Sequence, residues 1–158
     1  MKIAPHKIRT CFLALVMMTT LGLAQQESLA GERTVFFKYQ DAAIVEQGKE
    51  VYKQNCASCH GTDLEGDPQW QVRRENGKLR APPHDVSGHT WHHPEQTLFF
   101  LVKHGIVKLL NNKPYPNDMP IFGEKISDDE ILAVLSYIKS TWPEHLQKTH
   151  DQLSAHTH

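Results

Sequence analysis

Cys56-Ala57-Ser58-Cys59-His60 constrains this chain more than any other stretch of it. Two thiols separated by two residues and followed at once by an imidazole suit three chemistries. They could be a redox-active dithiol, half of a zinc site, or the attachment signature of a c-type haem. The haem reading explains the whole spacing. Two thiols add across the vinyl groups on one edge of a porphyrin, and the next side chain then lies under the ring as the proximal iron ligand. A zinc site wants a second Cys/His pair at ligand spacing. A thioredoxin-like dithiol wants a strand and a βαβ pattern around the motif. The sequence offers neither.

The N-terminus points the same way. Lys2, Lys7 and Arg9 precede an apolar run from Cys11 to Leu23, and two small-residue exits follow, Gly22-Leu23-Ala24 and Ser28-Leu29-Ala30. This is the pattern of a secretory signal peptide over residues 1–30, with cleavage after Ala24 or Ala30. The run is shorter than the roughly 18–20 apolar residues a spanning helix needs, so no stable membrane insertion is expected after cleavage. Neither Gln25 nor Gly31 offers a thiol for a lipid anchor. A periplasmic location follows, on the side of the membrane where c-type haem is attached.

Cleavage also simplifies the side-chain inventory. Of three cysteines and four methionines, Cys11, Met1, Met17 and Met18 leave with the signal. Cys56 and Cys59 are then both consumed by the haem, no disulfide remains, and Met119 is the only thioether. A single CxxCH implies one haem. The formal net charge of −1 over 158 residues argues for one domain and against a nucleic-acid partner.

Residues 31–40 read as a lead-in without periodicity. From Asp41 to Gln54 a helix is expected, with Asp41 as N-cap and Ile44, Gly48, Val51 and Tyr52 on one face. Gly48 in mid-helix suggests another helix crossing at close range. Residues 61–81 are a polar loop holding Trp70 and the basic residues Arg73, Arg74, Lys78 and Arg80, read first as a solvated face and alternatively as a docking patch or a partner for haem propionates. Pro82 and Pro83 impose an extended segment. His84, His89, His92 and His93 follow at irregular spacing that fits no standard zinc or copper pattern; a propionate contact from Trp91 or one of these histidines suits them better.

A second helix is expected from Pro94 to His104, with Gly105 at its C-terminal cap. Residues 106–123 read as a loop with Pro114, Pro116 and Pro120, in which Met119 stands among polar residues and prolines rather than in an apolar core. That setting suits a distal iron ligand better than a buried gap-filler. A third helix begins at a Ser127/Glu130 capping box with Ile126 and Ile131 as its staple, and buries Ile131, Val134, Leu135 and Ile138. Pro143 should stop it, leaving residues 144–158 as a polar, His-containing flexible tail.

These features together resemble the class I cytochromes c over residues 41–143: Gly48 and Tyr52 in the first helix, CxxCH, a proline segment, a mid-chain helix, Met119-Pro120 in a loop, and a capped last helix. The resemblance implies a small all-α fold with three main helices packed around one covalently attached haem c. It implies iron held by His60 and Met119, haem fastened by Cys56 and Cys59, and a proline carbonyl, from Pro82 or Pro83, accepting a hydrogen bond from His60. It places Gly48 and Tyr52 across the last helix at Val134 and Tyr137. The family usually has leucine shortly after that proline, where this chain has His84.

The implied activity is electron transfer by a monomer to transient redox protein partners, past a haem edge near Cys56 and Cys59, with no catalytic residue and no substrate. Three rivals remain: a haem subunit of a larger redox enzyme, a gas or redox sensor with a displaceable Met119, and a copper-binding module using the histidine-rich segments.

Overall fold

The computed structural model describes residues 35–156. The signal-peptide reading, and with it Cys11, Met17 and Met18, lies outside the described residues. Among those described there are six helices and no strand: α1 (Ala42–Asn55), α2 (Ala57–His60), α3 (Glu95–His104), α4 (Ile106–Leu109), α5 (Asp128–Ser140) and α6 (Glu144–Ala155). One 3₁₀ turn, Thr90–His92, precedes α3. None of these helices is long and apolar enough to cross a membrane.

The Asp41 carboxylate accepts from the N–H groups of Ala43 and Ile44 and starts α1. At the other end of the domain, Ser127 accepts from the Glu130 N–H while the Glu130 carboxylate accepts from the Ser127 N–H. This reciprocal pair fixes the start of α5. The two helices cross at Gly48. A β-carbon there would overlap the Ala133 carbonyl and press on Tyr137 Cβ, so only glycine lets the backbones approach this closely. The resemblance placed Val134 at the crossing; the backbone contact is one residue earlier, at Ala133, with Tyr137 as expected. The Tyr52 and Tyr137 rings meet at 5.6 Å beside it.

Around this crossing lies one apolar core, formed by Val51, Tyr52, Leu98, Phe99, Ile131, Val134, Leu135, Ile138 and Trp142, with Val35 and Phe37 of the lead-in added to it. Each large aliphatic side chain buried there contributes about 1.5–3 kcal/mol. The lead-in is therefore part of the fold. Its Phe37 N–H donates to the Glu95 carboxylate at 2.9 Å, and its Lys38 N–H donates to Ser136 Oγ.

Two expectations need correction. Residues 106–123 are not wholly loop, since Ile106–Leu109 makes one helical turn. More importantly, the expected flexible tail is a twelve-residue helix, α6, seated on the domain. Pro143 separates α5 from α6 and serves the second as its N-terminal flank, a position its fixed φ suits. Gln147 Nε2 donates to the carbonyls of Lys139, Ser140 and Trp142 and so closes the end of α5. Lys139, with no exposed surface, donates to Glu95 at 2.7 Å and to Asp151 at 2.5 Å. Tyr39 also donates to Asp151. The face that α6 buries holds the polar His150 and Ser154, with Leu146 packed on the core beside them.

Candidate haem site

The motif follows directly from α1. Cys56 caps that helix, its N–H donating to the Tyr52 carbonyl at 2.8 Å. The chain then makes one turn, α2, in which the His60 N–H returns to the Cys56 carbonyl at 2.9 Å. Tyr52 closes the motif from below by donating to the Gly61 carbonyl at 2.9 Å. Cys56 is half-buried, Cys59 is exposed, and the two form no disulfide. Burial, and secondarily Cys59, pushes the Cys56 thiol up to about 11.

His60 is buried with 7% of its surface exposed. Its Nδ1–H donates to the Pro82 carbonyl at 2.8 Å. That bond fixes the tautomer: with the proton on Nδ1, Nε2 keeps its lone pair for a metal. Burial lowers the basicity of His60 and the Pro82 bond opposes that. Gly66 is what lets the proline segment come so near. Its φ is +63°, and a β-carbon on it would overlap the backbone of Pro82 and Pro83. Between two proline positions left open by the sequence, the structure selects Pro82.

Around His60 the sequence points to His84 only as a residue suited to a propionate contact, and does not single out Leu64. The His84 ring stacks on that of His60 with centroids 4.0 Å apart and planes at 22°. Its Nδ1 is 2.8 Å from Thr90 Oγ1, and its backbone carbonyl accepts from Trp142 Nε1 at 2.8 Å. Burial and the neighbouring His60 and His89 hold His84 neutral, well below the usual histidine range. Leu64 takes a left-handed backbone, φ +68°, while its side chain is buried. Its carbonyl accepts from the His84 N–H. A non-glycine residue there costs on the order of 1 kcal/mol, and the sequence gives no sign of it.

Two buried donors on the same stretch of chain have no partner: Arg80 Nε and Trp91 Nε1. An unmade bond at a buried donor costs about 1–3 kcal/mol, so each is set to receive an acceptor from outside the chain. The acidic substituents of a haem are acceptors of the kind that would meet that need. The other histidines divide differently. Trp70 stacks on His89 at 5.2 Å, His89 meets His93 edge-on at 5.4 Å, and His92 packs on Trp91. Among the described residues no group of His, Cys, Asp and Glu is arranged to hold a metal ion by itself.

Met119 stands half-buried on a separate loop. Its N–H donates to Asn117 Oδ1 at 2.9 Å, and Asn117 Nδ2 donates to the Tyr115 carbonyl. On the C-terminal side the loop is tied to the end of α3, where Phe122 and Gly123 donate to the carbonyls of Val102 and Lys103. On the N-terminal side it is tied to the 61–81 loop. Leu79 donates to the Pro116 carbonyl, and both Lys78 and Arg74 pair with Asp118. The basic cluster is thus not a bare solvated face. Arg74 and Lys78 turn to the methionine loop, Arg73 lies over the Tyr115 ring, and Arg80 turns to Asp67.

Comparison with known proteins agrees with this construction. A family model described as "Cytochrome c" matches residues 45–142. The chain is similar to the cbb3-type cytochrome c oxidase subunit FixP of Sinorhizobium medicae (strain WSM419), 23% identical over 96 residues that cover 61% of this chain and 29% of that protein. It is also similar to the cbb3-type cytochrome c oxidase subunit CcoP of Azospirillum brasilense, 30% identical over 98 residues that cover 62% of this chain and 28% of that protein. The match therefore spans less than a third of the length of these relatives. No solved structure matches the chain significantly. The helical fold, the haem-attachment motif on α2 and the matched family model lead to one conclusion: this chain belongs to the cytochrome c family, whose members carry covalently bound haem c and transfer electrons.

Proposed function

We propose that this protein is a periplasmic electron carrier with one haem, fastened by Cys56 and Cys59 and ligated by His60 and Met119. The observation that carries the reading is the His60–Pro82 bond, which leaves Nε2 of a buried, oriented imidazole unprotonated. When bound, the haem supplies one-electron exchange between ferrous and ferric iron. The chain's own residues then divide the work. Cys56 and Cys59 fix one edge of the group to α2. Pro82 orients His60 and strengthens it as a ligand. Arg80 and Trp91 supply the donors that its acidic substituents need. Met119 would hold the group from the other side with a thioether, which favours a higher potential than a second imidazole would.

With His60 and Met119 both holding the group, little would change between oxidation states, which suits transfer to a transient partner over a small interface. A second reading is favoured by the similarity to the two oxidase subunits. In it the same domain serves as a docked haem subunit of a larger redox enzyme. Affinity capture of the exported holoprotein from periplasm and membranes separates the two. A free carrier is recovered alone and is reduced and reoxidised by added partners; a subunit is recovered in stoichiometric complex with an oxidase.

A further inference from the structure

The methionine loop is held unequally at its two ends. Beyond Met119 it is anchored by Phe122, which has 6% of its surface exposed and donates its N–H to Val102 in α3. Before Met119 the tie is largely ionic and lies at the surface. Asp118 pairs with Lys78 and, at 3.7 Å, with Arg74. Their side chains are 40–48% exposed, so solvent and salt reach all three. One backbone bond accompanies it, from the Leu79 N–H to the Pro116 carbonyl at 3.2 Å. The turn carrying the cations is itself well made: Arg74 N–H donates to Lys78, Gly77 N–H donates to Arg74, and the Arg73 guanidinium donates to Gly77. A preformed cationic turn therefore grips the residue next to Met119, while the far end of the loop is pinned in the core.

We propose that Lys78, Arg74 and Asp118 form an ionic clasp that positions Met119, so that the strength of this clasp sets how readily the axial position opens to small ligands. The proposal rests on Met119 being the second axial ligand. Asp118 does not touch the group; it acts through the loop. With the clasp shut, the loop is held at both ends and the thioether stays in place. With it open, the loop is free to swing about Phe122, and a diatomic ligand competes for the vacated position. Because the clasp is exposed it is screened by salt, so opening becomes sensitive to ionic strength. The same domain would then be a closed carrier at low salt and a better ligand binder at high salt or beside a partner whose charges compete for Asp118.

The test mixes the ferrous holoprotein with carbon monoxide at low and at high ionic strength and follows binding optically, for wild type, D118N, K78E, the charge-swapped R74E/K78E/D118K and M119A. An exposed pair of this kind is expected to change the opening equilibrium about threefold to fivefold. Wild type should bind slowly, and faster in salt. D118N and K78E should bind faster by about that factor and lose most of the salt effect, and the swapped variant should restore slow, salt-sensitive binding. If wild type has a methionine-ligated spectrum and D118N keeps its rate and salt response, the clasp is overturned and the ligation stands. If wild type binds as fast as M119A, the ligation fails and the clasp fails with it. A swapped variant that stays fast although its melting temperature equals that of wild type also counts against the clasp.

Discussion

The rings of His84 and His60 stack at 4.0 Å, with His84 standing shortly after Pro82, where the resemblance implied a leucine. The proximal imidazole therefore has a polar neighbour on its flank instead of an aliphatic one. His84 is kept neutral by burial, and its Nδ1 is hydrogen-bonded with Thr90 Oγ1. It can stabilise the extra positive charge of ferric iron through its ring dipole but not through a charge of its own.

Replacing His84 with leucine should consequently raise the midpoint potential. A less polar flank disfavours the more highly charged ferric state, and the second-shell setting of the ligand is one of the levers on haem potential. A redox titration of holoprotein H84L is expected to give a rise of some tens of millivolts. A fall, or no change, would show that the stacked ring does not tune the site.

The crossing of α1 and α5 makes a sharper demand. In G48A the new methyl group meets a backbone carbonyl, which cannot rotate away as a side-chain tip could. Overpacking usually costs about 1–3 kcal/mol, and this substitution should lie at or above the upper end. Denaturant unfolding of the holoprotein checks it, together with the yield of matured protein. A stability within 0.5 kcal/mol of wild type, the usual range for neutral surface changes (about 0.5), would mean that the helices do not meet as described.

These two sites show what was legible beforehand. The crossing glycine, the capping box, the N-cap Asp41 and the motif all depend on local spacing, which the chain displays directly. His84, Leu64 and Trp142 do not. They meet through hydrogen bonds between residues far apart in sequence, such as Trp142 Nε1 to the His84 carbonyl. The reach of α6 was hidden for another reason. Its most buried residues are the polar His150 and Ser154, paired with the His93 carbonyl and the Glu95 N–H, and Leu146 packs on the core only as part of a segment that is polar overall. Arg74 and Lys78 likewise looked solvated because their partner, Asp118, lies on another loop.

His150 gives α6 a pH dependence. The side chain has no exposed surface, its Nε2–H donates to His93, and its Nδ1 has no hydrogen-bond partner, with Glu95 4.0 Å away. Burial first, and then the nearby Lys139 charge, lowers it to about 4. The unfolded chain, with histidine near 6.5, binds this proton more readily than the folded one. Stability is thus fully present above about pH 6.5 and falls as the pH drops through about 4, by on the order of 3 kcal/mol for this group. Unfolding curves between pH 7 and pH 4 should be flatter for H150N than for wild type. Parallel curves would contradict the buried neutral histidine.

The central claim is that His60 and Met119 together complete the iron site, and one comparison tests it most directly: the optical spectrum of the ferric holoprotein before and after Met119→Ala. Wild type should show the weak long-wavelength charge-transfer band of sulfur-ligated low-spin ferric haem. M119A should keep its haem covalently attached through Cys56 and Cys59, lose that band, and bind added imidazole or cyanide readily. An M119A spectrum identical to that of wild type would contradict the account and move the search for the second ligand to the histidines of the 84–93 segment.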